Sequence, residues 1–242
     1  MPSAPHATWS LANHVASQRS RDAAGGIAAE LDLRRPDRGL ATTTRDGHRD
    51  HLLGVGVAAA RAHESAPLTD HWLRGSDLTA VYEPADPRQL RATAMWRIHA
   101  ARGDVACWEV VVSAQTSLLE SDAALAVISD IEADEVRWST PLPCWQPLDA
   151  RTPLPDEATF ILARRSGTSI LIAMHPADRR RIDVRHAAGR ARIECWLFPS
   201  AIEKGVLLRS RVMAAVGPRP RDEAWAAETA SAFTASPPLL TT

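Results

Sequence analysis

Apolar positions in this chain recur most clearly at every second residue, the period of strands that bury one face. From Val105 to Gln115 one face carries Ala106, Trp108, Val110, Val112 and Ala114, while the other mixes Val105, Cys107, Glu109, Val111 and Ser113. Just upstream, Ala92, Ala94, Trp96 and Ile98 alternate with Arg91, Thr93, Met95, Arg97 and His99. The intervening Ala101-Arg102-Gly103-Asp104 is turn-forming, so the two runs read as a hairpin. A second hairpin is expected from Thr159–Arg164 and Thr168–His175, where Gly167 can supply the positive φ of a tight turn. A third joins Ile182–Val184 to Arg190–Leu197 through His186-Ala187-Ala188-Gly189. Val206–Val216 reads as a long strand with Val206, Leu208, Val212 and Ala214 on one side and Arg209 and Arg211 on the other.

The N-terminal third carries the same period. Trp9, Leu11, Asn13 and Val15 line one face of a predicted strand, and Ile27, Ala29, Leu31 and Leu33 alternate with Glu30 and Asp32. Leu53, Val55 and Val57 follow a turn at Asp46-Gly47, and Leu78, Ala80 and Tyr82 form a short strand ending at Pro84. About a dozen strands at this spacing suit a sandwich or barrel. Pro141–Asp156 contains Pro141, Pro143, Pro147, Pro153 and Pro155, which bars it from a central strand or a helix interior. It is expected to be a long loop crossing from one part of the sandwich to another. At the C-terminus, Asp222 is a candidate N-cap for one helix over residues 221–234, with Trp225, Ala232 and Phe233 on one face and Pro237 and Pro238 ending it. The fold expected is all-β: one domain over residues 1–242, a large two-layer antiparallel β-sandwich with a short C-terminal α-helix.

Composition narrows the class but not the activity. With 45% apolar residues in 242, the chain can bury a sizeable core. A formal net charge of -1 supplies no field for phosphate backbones or anionic membranes, so neither a nucleic acid nor a membrane is an expected partner. No basic-then-apolar leader and no apolar run of membrane length is visible, which points to a cytoplasmic protein. Cys107, Cys144 and Cys195 form no CxxC pair, and the histidines show no HExxH spacing, so no metal or cofactor is expected. Gly54-Val55-Gly56 opens no helix, no Ser sits in a GxSxG elbow, and the turn explains Arg102-Gly103-Asp104.

The remaining chemistry lies in a few clusters. Asp70-His71-Trp72-Leu73-Arg74-Gly75-Ser76-Asp77 sets an aromatic beside charged side chains, the means by which proteins stack on sugar faces and bond to their hydroxyls. The competing reading is a plain turn at Gly75-Ser76 with Trp72 in the core. Arg97 and His99 join Trp72, Arg74 and Asp77 as ligand-binding candidates if their strand face lines a cleft. His175 beside Asp178 could serve general acid–base chemistry, and Glu203 beside Lys204, the only lysine, reads as a functional pair or as an exposed ion pair before a glycine turn. Arg179, Arg180 and Arg181 read as a solvated edge that discourages sheet association.

Arg74-Gly75-Ser76-Asp77-Leu78 running on to Tyr82, together with Glu203-Lys204-Gly205-Val206, resembles an uncharacterised family of bacterial β-rich proteins, a likeness that implies no activity. By strand count alone the chain also resembles the β-supersandwich class, which includes sugar mutarotases and domains of polysaccharide lyases; that likeness transfers no residue roles. Three functions follow as expectations. The first is a module binding a small polar ligand such as a carbohydrate. The second is a carbohydrate-active enzyme of epimerase or lyase type, using His175 with Asp178 or Glu203 and an arginine converging within about 4–6 Å. The third is a structural or oligomer-forming protein. The oligomeric state is not set by the sequence.

Overall fold

The computed structural model describes residues 7–19, 27–44, 47–57, 67–84, 90–121, 125–141, 144–149, 154–198 and 201–237. Asp46, Pro143, Pro153 and Pro238 lie outside these. In chain order the strands are β1 (Thr8–Ala12), β2 (Val15–Arg19), β3 (Ala28–Asp32), β4 (Leu40–Thr43), β5 (Arg49–Val57), β6 (Leu68–Arg74), β7 (Asp77–Tyr82), β8 (Arg91–Ile98) and β9 (Ala106–Gln115). There follow β10 (Glu120–Ser121), β11 (Leu125–Glu132), β12 (Glu135–Ser139), β13 (Gln146–Pro147), β14 (Phe160–Arg164) and β15 (Thr168–Met174). The chain closes with β16 (Arg179–Ala187), β17 (Arg190–Leu197), β18 (Ile202–Glu203), β19 (Leu208–Pro218) and the helix α1 (Asp222–Ala235).

Two antiparallel sheets face each other. One has the order β1-β2-β3-β4-β5-β11-β17-β16, the other β13-β12-β14-β15-β19-β9-β8-β7-β6, and β10 pairs with β18 in a separate two-stranded ribbon. The chain is therefore an all-β sandwich. The alternation over Val105–Gln115 has its expected consequence: Ala106, Trp108, Val110, Val112 and Ala114 all enter the core between the sheets. The last strand, β19, inserts between β15 and β9 and so joins two meanders of the nine-stranded sheet.

Polar groups of the core aromatics bond from one sheet to the other, as buried donors must. Trp96 Nε1 donates to the Leu53 carbonyl at 3.0 Å, and Tyr82 Oη donates to the Leu33 carbonyl at 3.0 Å. Leu53 can offer that carbonyl because it lies at a bulge, with φ 57°, where the β5–β11 register shifts; its N–H goes to Ser129 Oγ instead.

Several sequence expectations need correction. Trp9 to Val15 is not one strand: Asn13 and His14 both have positive φ, so β1 and β2 form a tight hairpin. Val206 is exposed and precedes β19. The proline-rich segment links β12 to β14, neighbours in one sheet, and does not cross the sandwich; its two-residue strand β13 sits at the sheet edge, where a proline is tolerated. Residues 125–139, unassigned from the pattern, hold β11 and β12.

The helix adds a partial third layer. Ala226, Ala230 and Phe233 pack on Phe160, Leu162, Leu171, Ala173, Met213 and Ala215 of the outer face of the nine-stranded sheet. Trp225 lies against Gly217, where a Cβ would meet its ring at 2.9 Å, so only glycine admits the indole. Asp222 is the first helical residue, and the cap position is taken by Arg221 with φ 62°. The Asp222 carboxylate turns back into the sheet, receiving Arg164 Nη2 and Nε at 2.7 Å each and Ser169 Oγ at 2.7 Å.

Candidate functional site

Because α1 covers only β14, β15, β19 and part of β9, the outer face of β6 to β9 is left open beside it. A cleft of about 670 Å³ lies at this boundary, a size suited to a small ligand. The β8–β9 hairpin contributes Arg97, His99, Arg102, Cys107 and Glu109; β19 contributes Arg211 and Met213; the last turns of α1 contribute Thr229, Ala232, Phe233 and Ser236.

Strand register puts the charged groups in one row. Arg74 faces Asp77, Asp77 faces Arg97, Arg97 faces Glu109, and Glu109 faces Met213 on successive antiparallel strands. Neighbours in such a row are within side-chain reach. Arg97 binds Asp77 bidentately, Nε to Oδ1 at 2.8 Å and Nη2 to Oδ2 at 2.9 Å. Its Nη1 is 3.9 Å from Glu109 Oε2. His99 Nε2 donates to the same Oε2 at 3.0 Å, an assignment that follows from a carboxylate being the acceptor. Arg211 Nη1 is 3.9 Å from Oε1. Glu109 is only 3% exposed, and a carboxylate so buried needs partners such as these three.

Arg211 also holds the end of the helix. Its Nη1 donates to Ser236 Oγ at 2.8 Å and its Nη2 to the Ser236 carbonyl at 2.9 Å, with the guanidinium carbon 5.0 Å from the Phe233 ring centroid. A cation bonded to the last carbonyls suits a helix C-terminus. Its Nε is buried and has no partner among the described residues. Cys107, on the cleft wall, has its thiol pushed up to about 11 by burial, which disfavours the thiolate at neutral pH.

The sequence candidates fall into three groups. Arg97 and His99 line the cleft, and Asp77 anchors Arg97. Trp72 and Arg74 lie on the edge strand β6 with Asp77 and Arg97 on the same outer face, but outside the cleft. Trp72 is 46% exposed, so the reading that placed it in the core does not hold. His175 and Asp178 sit together in a short 3-10 turn behind Arg211, where their polar atoms serve structure. His175 Nδ1 accepts from the Ala177 N–H, its Nε2 donates to the Thr234 carbonyl, and Asp178 Oδ2 accepts from the Arg211 N–H. Burial raises the Asp178 carboxyl above its usual range, against the pull of His175 and Arg211. Glu203 is exposed on β18, opposite Glu120, and is not part of the cleft.

Glu109 and Arg211 were not singled out from the sequence. The available signal was Glu109 between Trp108 and Val110, and Arg211 ahead of the apolar run Val212–Val216. Among the described residues, no group of three or more His, Cys, Asp or Glu side chains is placed to hold a metal ion. No helix among them is long and apolar enough to cross a membrane. No protein-family model matches the chain, and no curated protein matches it.

Proposed function

We propose that this protein is a binding module that holds a small polar ligand of carbohydrate type in the cleft between α1 and the open half of the nine-stranded sheet. The observation that carries the reading is the buried Glu109 carboxylate, ringed by His99, Arg97 and Arg211 at the mouth of a cleft walled by Met213, Ala232 and Phe233. Sugars present apolar C–H faces and hydroxyl edges, which match an apolar wall beside a fixed row of donors and acceptors. The orphaned Arg211 Nε is consistent with this reading, since a buried donor without a partner calls for a water or a ligand. The exposed Trp72, four strands away from Arg211 on the same face, offers a stacking surface beyond the cleft for a longer ligand.

The catalytic alternative has one observation in its favour, the His99–Glu109 hydrogen bond of 3.0 Å on the cleft surface. A His–carboxylate pair of this kind can transfer protons. It would replace the His175-based arrangement as the acid–base pair of an epimerase or lyase.

A glycan array with the full chain, followed by calorimetry on any hit, tests the binding reading. Binding that falls at least about tenfold in Glu109→Gln and His99→Ala supports it. An array without hits, or hits insensitive to both changes, removes it. Turnover of a bound sugar that is lost in His99→Ala would move the protein to the catalytic alternative.

A further inference from the structure

The sheet edges of this molecule are not treated alike. β13 is two residues long and includes Pro147, β1 is five residues long, and β16 carries Arg179, Arg180, Arg181 and Arg185 with a register shift at its start. Short length, proline, charge and bulges all discourage strands of other molecules from pairing. β6 has less of this protection, although its register too shifts near its start, between Leu68 and Asp70, and it carries Asp70 and Arg74. It is seven residues long, with neither proline nor lysine, and exposes Trp72 and Leu73 at 46% and 39%. Among the described residues, no strand pairs with its outer side.

The two-residue turn Gly75-Ser76, with Gly75 at φ 61°, closes the β6–β7 hairpin at Arg74 and Asp77. Counting back from that closure, Arg74, Trp72 and Asp70 turn their backbone groups toward β7, while Leu73 and His71 turn theirs outward, where the His71 N–H donates to Asp70 Oδ1 at 2.8 Å. The side-chain order is self-complementary. If β6 is laid antiparallel against a copy of itself about an axis at Trp72, Asp70 falls opposite the partner's Arg74. Trp72 falls opposite the partner's Trp72, and Leu73 exchanges backbone hydrogen bonds with the partner's His71 once Asp70 turns from the His71 N–H to the partner's Arg74. A parallel alignment in register would instead set like charges side by side, which is destabilising.

We propose that β6 is a homodimerisation edge, through which two copies of this chain join antiparallel about a two-fold axis at Trp72 and fuse their nine-stranded sheets into one. The dimer goes beyond ligand binding and rests on backbone and charge order, not on the cleft. Trp72 contributes to both features, whereas Glu109 belongs to the cleft alone.

Sedimentation equilibrium of the full chain over a wide concentration range tests the dimer. The wild type is expected to be dimeric. Asp70→Arg and Arg74→Asp each place like charges across the axis twice and raise the dimer Kd at least about tenfold. The double exchange Asp70→Arg with Arg74→Asp restores association, and Leu73→Lys gives a monomer whose far-ultraviolet circular dichroism is that of the wild type. Glu109→Gln leaves the dimer Kd unchanged. A wild type monomeric at every concentration overturns the proposal. So does a dimer indifferent to the single charge exchanges, one not rescued by the double exchange, or one lost on Glu109→Gln.

Discussion

Arg165, in the turn between β14 and β15, places its Nη1 at 2.9 and 2.8 Å from the two carboxylate oxygens of Asp50 on β5, tying one sheet to the other inside the protein. Both side chains are buried, Asp50 completely, and Asp50 Oδ1 also accepts the Glu132 N–H at 3.0 Å. Removing one member leaves the other charged and unpaired in the interior. Arg165→Met is therefore expected to cost about 3–5 kcal/mol, while Asp50→Leu combined with Arg165→Met costs less than Arg165→Met alone. Urea unfolding of the single and double variants measures both.

Trp96 is expected to matter for its indole N–H as well as for its volume. Trp96→Phe leaves the Leu53 carbonyl without its donor at the β5 bulge and costs about 1–3 kcal/mol beyond the loss of packing. Gly217→Val drives a side chain into the Trp225 ring and costs about 1–3 kcal/mol by overpacking. In thermal unfolding, Gly217→Val should shift Trp225 fluorescence toward that of an exposed indole before the sheets melt.

The helix attachment should fail in acid. Burial opposes charge on Asp222, but the hydrogen bonds from Arg164 and Ser169 outweigh it and hold the carboxyl below the usual carboxylate range. A group whose folded pKa is depressed adds stability above its unfolded value, near 3.9, and loses that stability as pH falls through the folded value. Stability should therefore drop below about pH 4, reported by Trp225 and by Trp145, whose Nε1 donates to the Glu223 carbonyl. Asp222→Asn should be less stable at neutral pH and show a shallower acid slope; an unchanged slope would place the acid sensitivity elsewhere.

The three thiols should separate cleanly. Burial pushes Cys107 up to about 11 and Cys195 up to about 12, whereas Cys144 is exposed. At neutral pH an aromatic disulfide reagent should label Cys144 promptly and the other two only on unfolding. Prompt labelling of Cys107 would mean that the cleft wall opens in solution.

Much of this architecture was legible because one face of each strand is buried. The β8–β9 hairpin, the β14–β15 and β16–β17 hairpins and the docking helix all follow from alternation, turn glycines and prolines. β14, buried along its whole length, shows no period and was legible from its apolar run and the turn at Gly167, whereas β11 was missed because Ser129 occupies one of its buried positions and interrupts the apolar alternation. Trp9 to Val15 kept its apolar period while the chain reversed at Asn13 and His14, a turn that needs positive φ at two residues and carries no glycine to mark it. The site was half legible. Arg97 and His99 share a strand face that proved to border a cleft, but Glu109 and Arg211 come into reach of them only through register between strands distant in the chain, and the cleft itself depends on how far α1 extends over the sheet.

The most direct test of the proposed cleft is nuclear magnetic resonance of the labelled protein titrated with simple sugars and their oligomers. If the cleft is the site, shifts concentrate in residues 97–109, 211–213 and 229–236, and the His99 ring resonances move with them. No shift at the highest sugar concentration, or shifts confined to loops remote from Glu109, would contradict it.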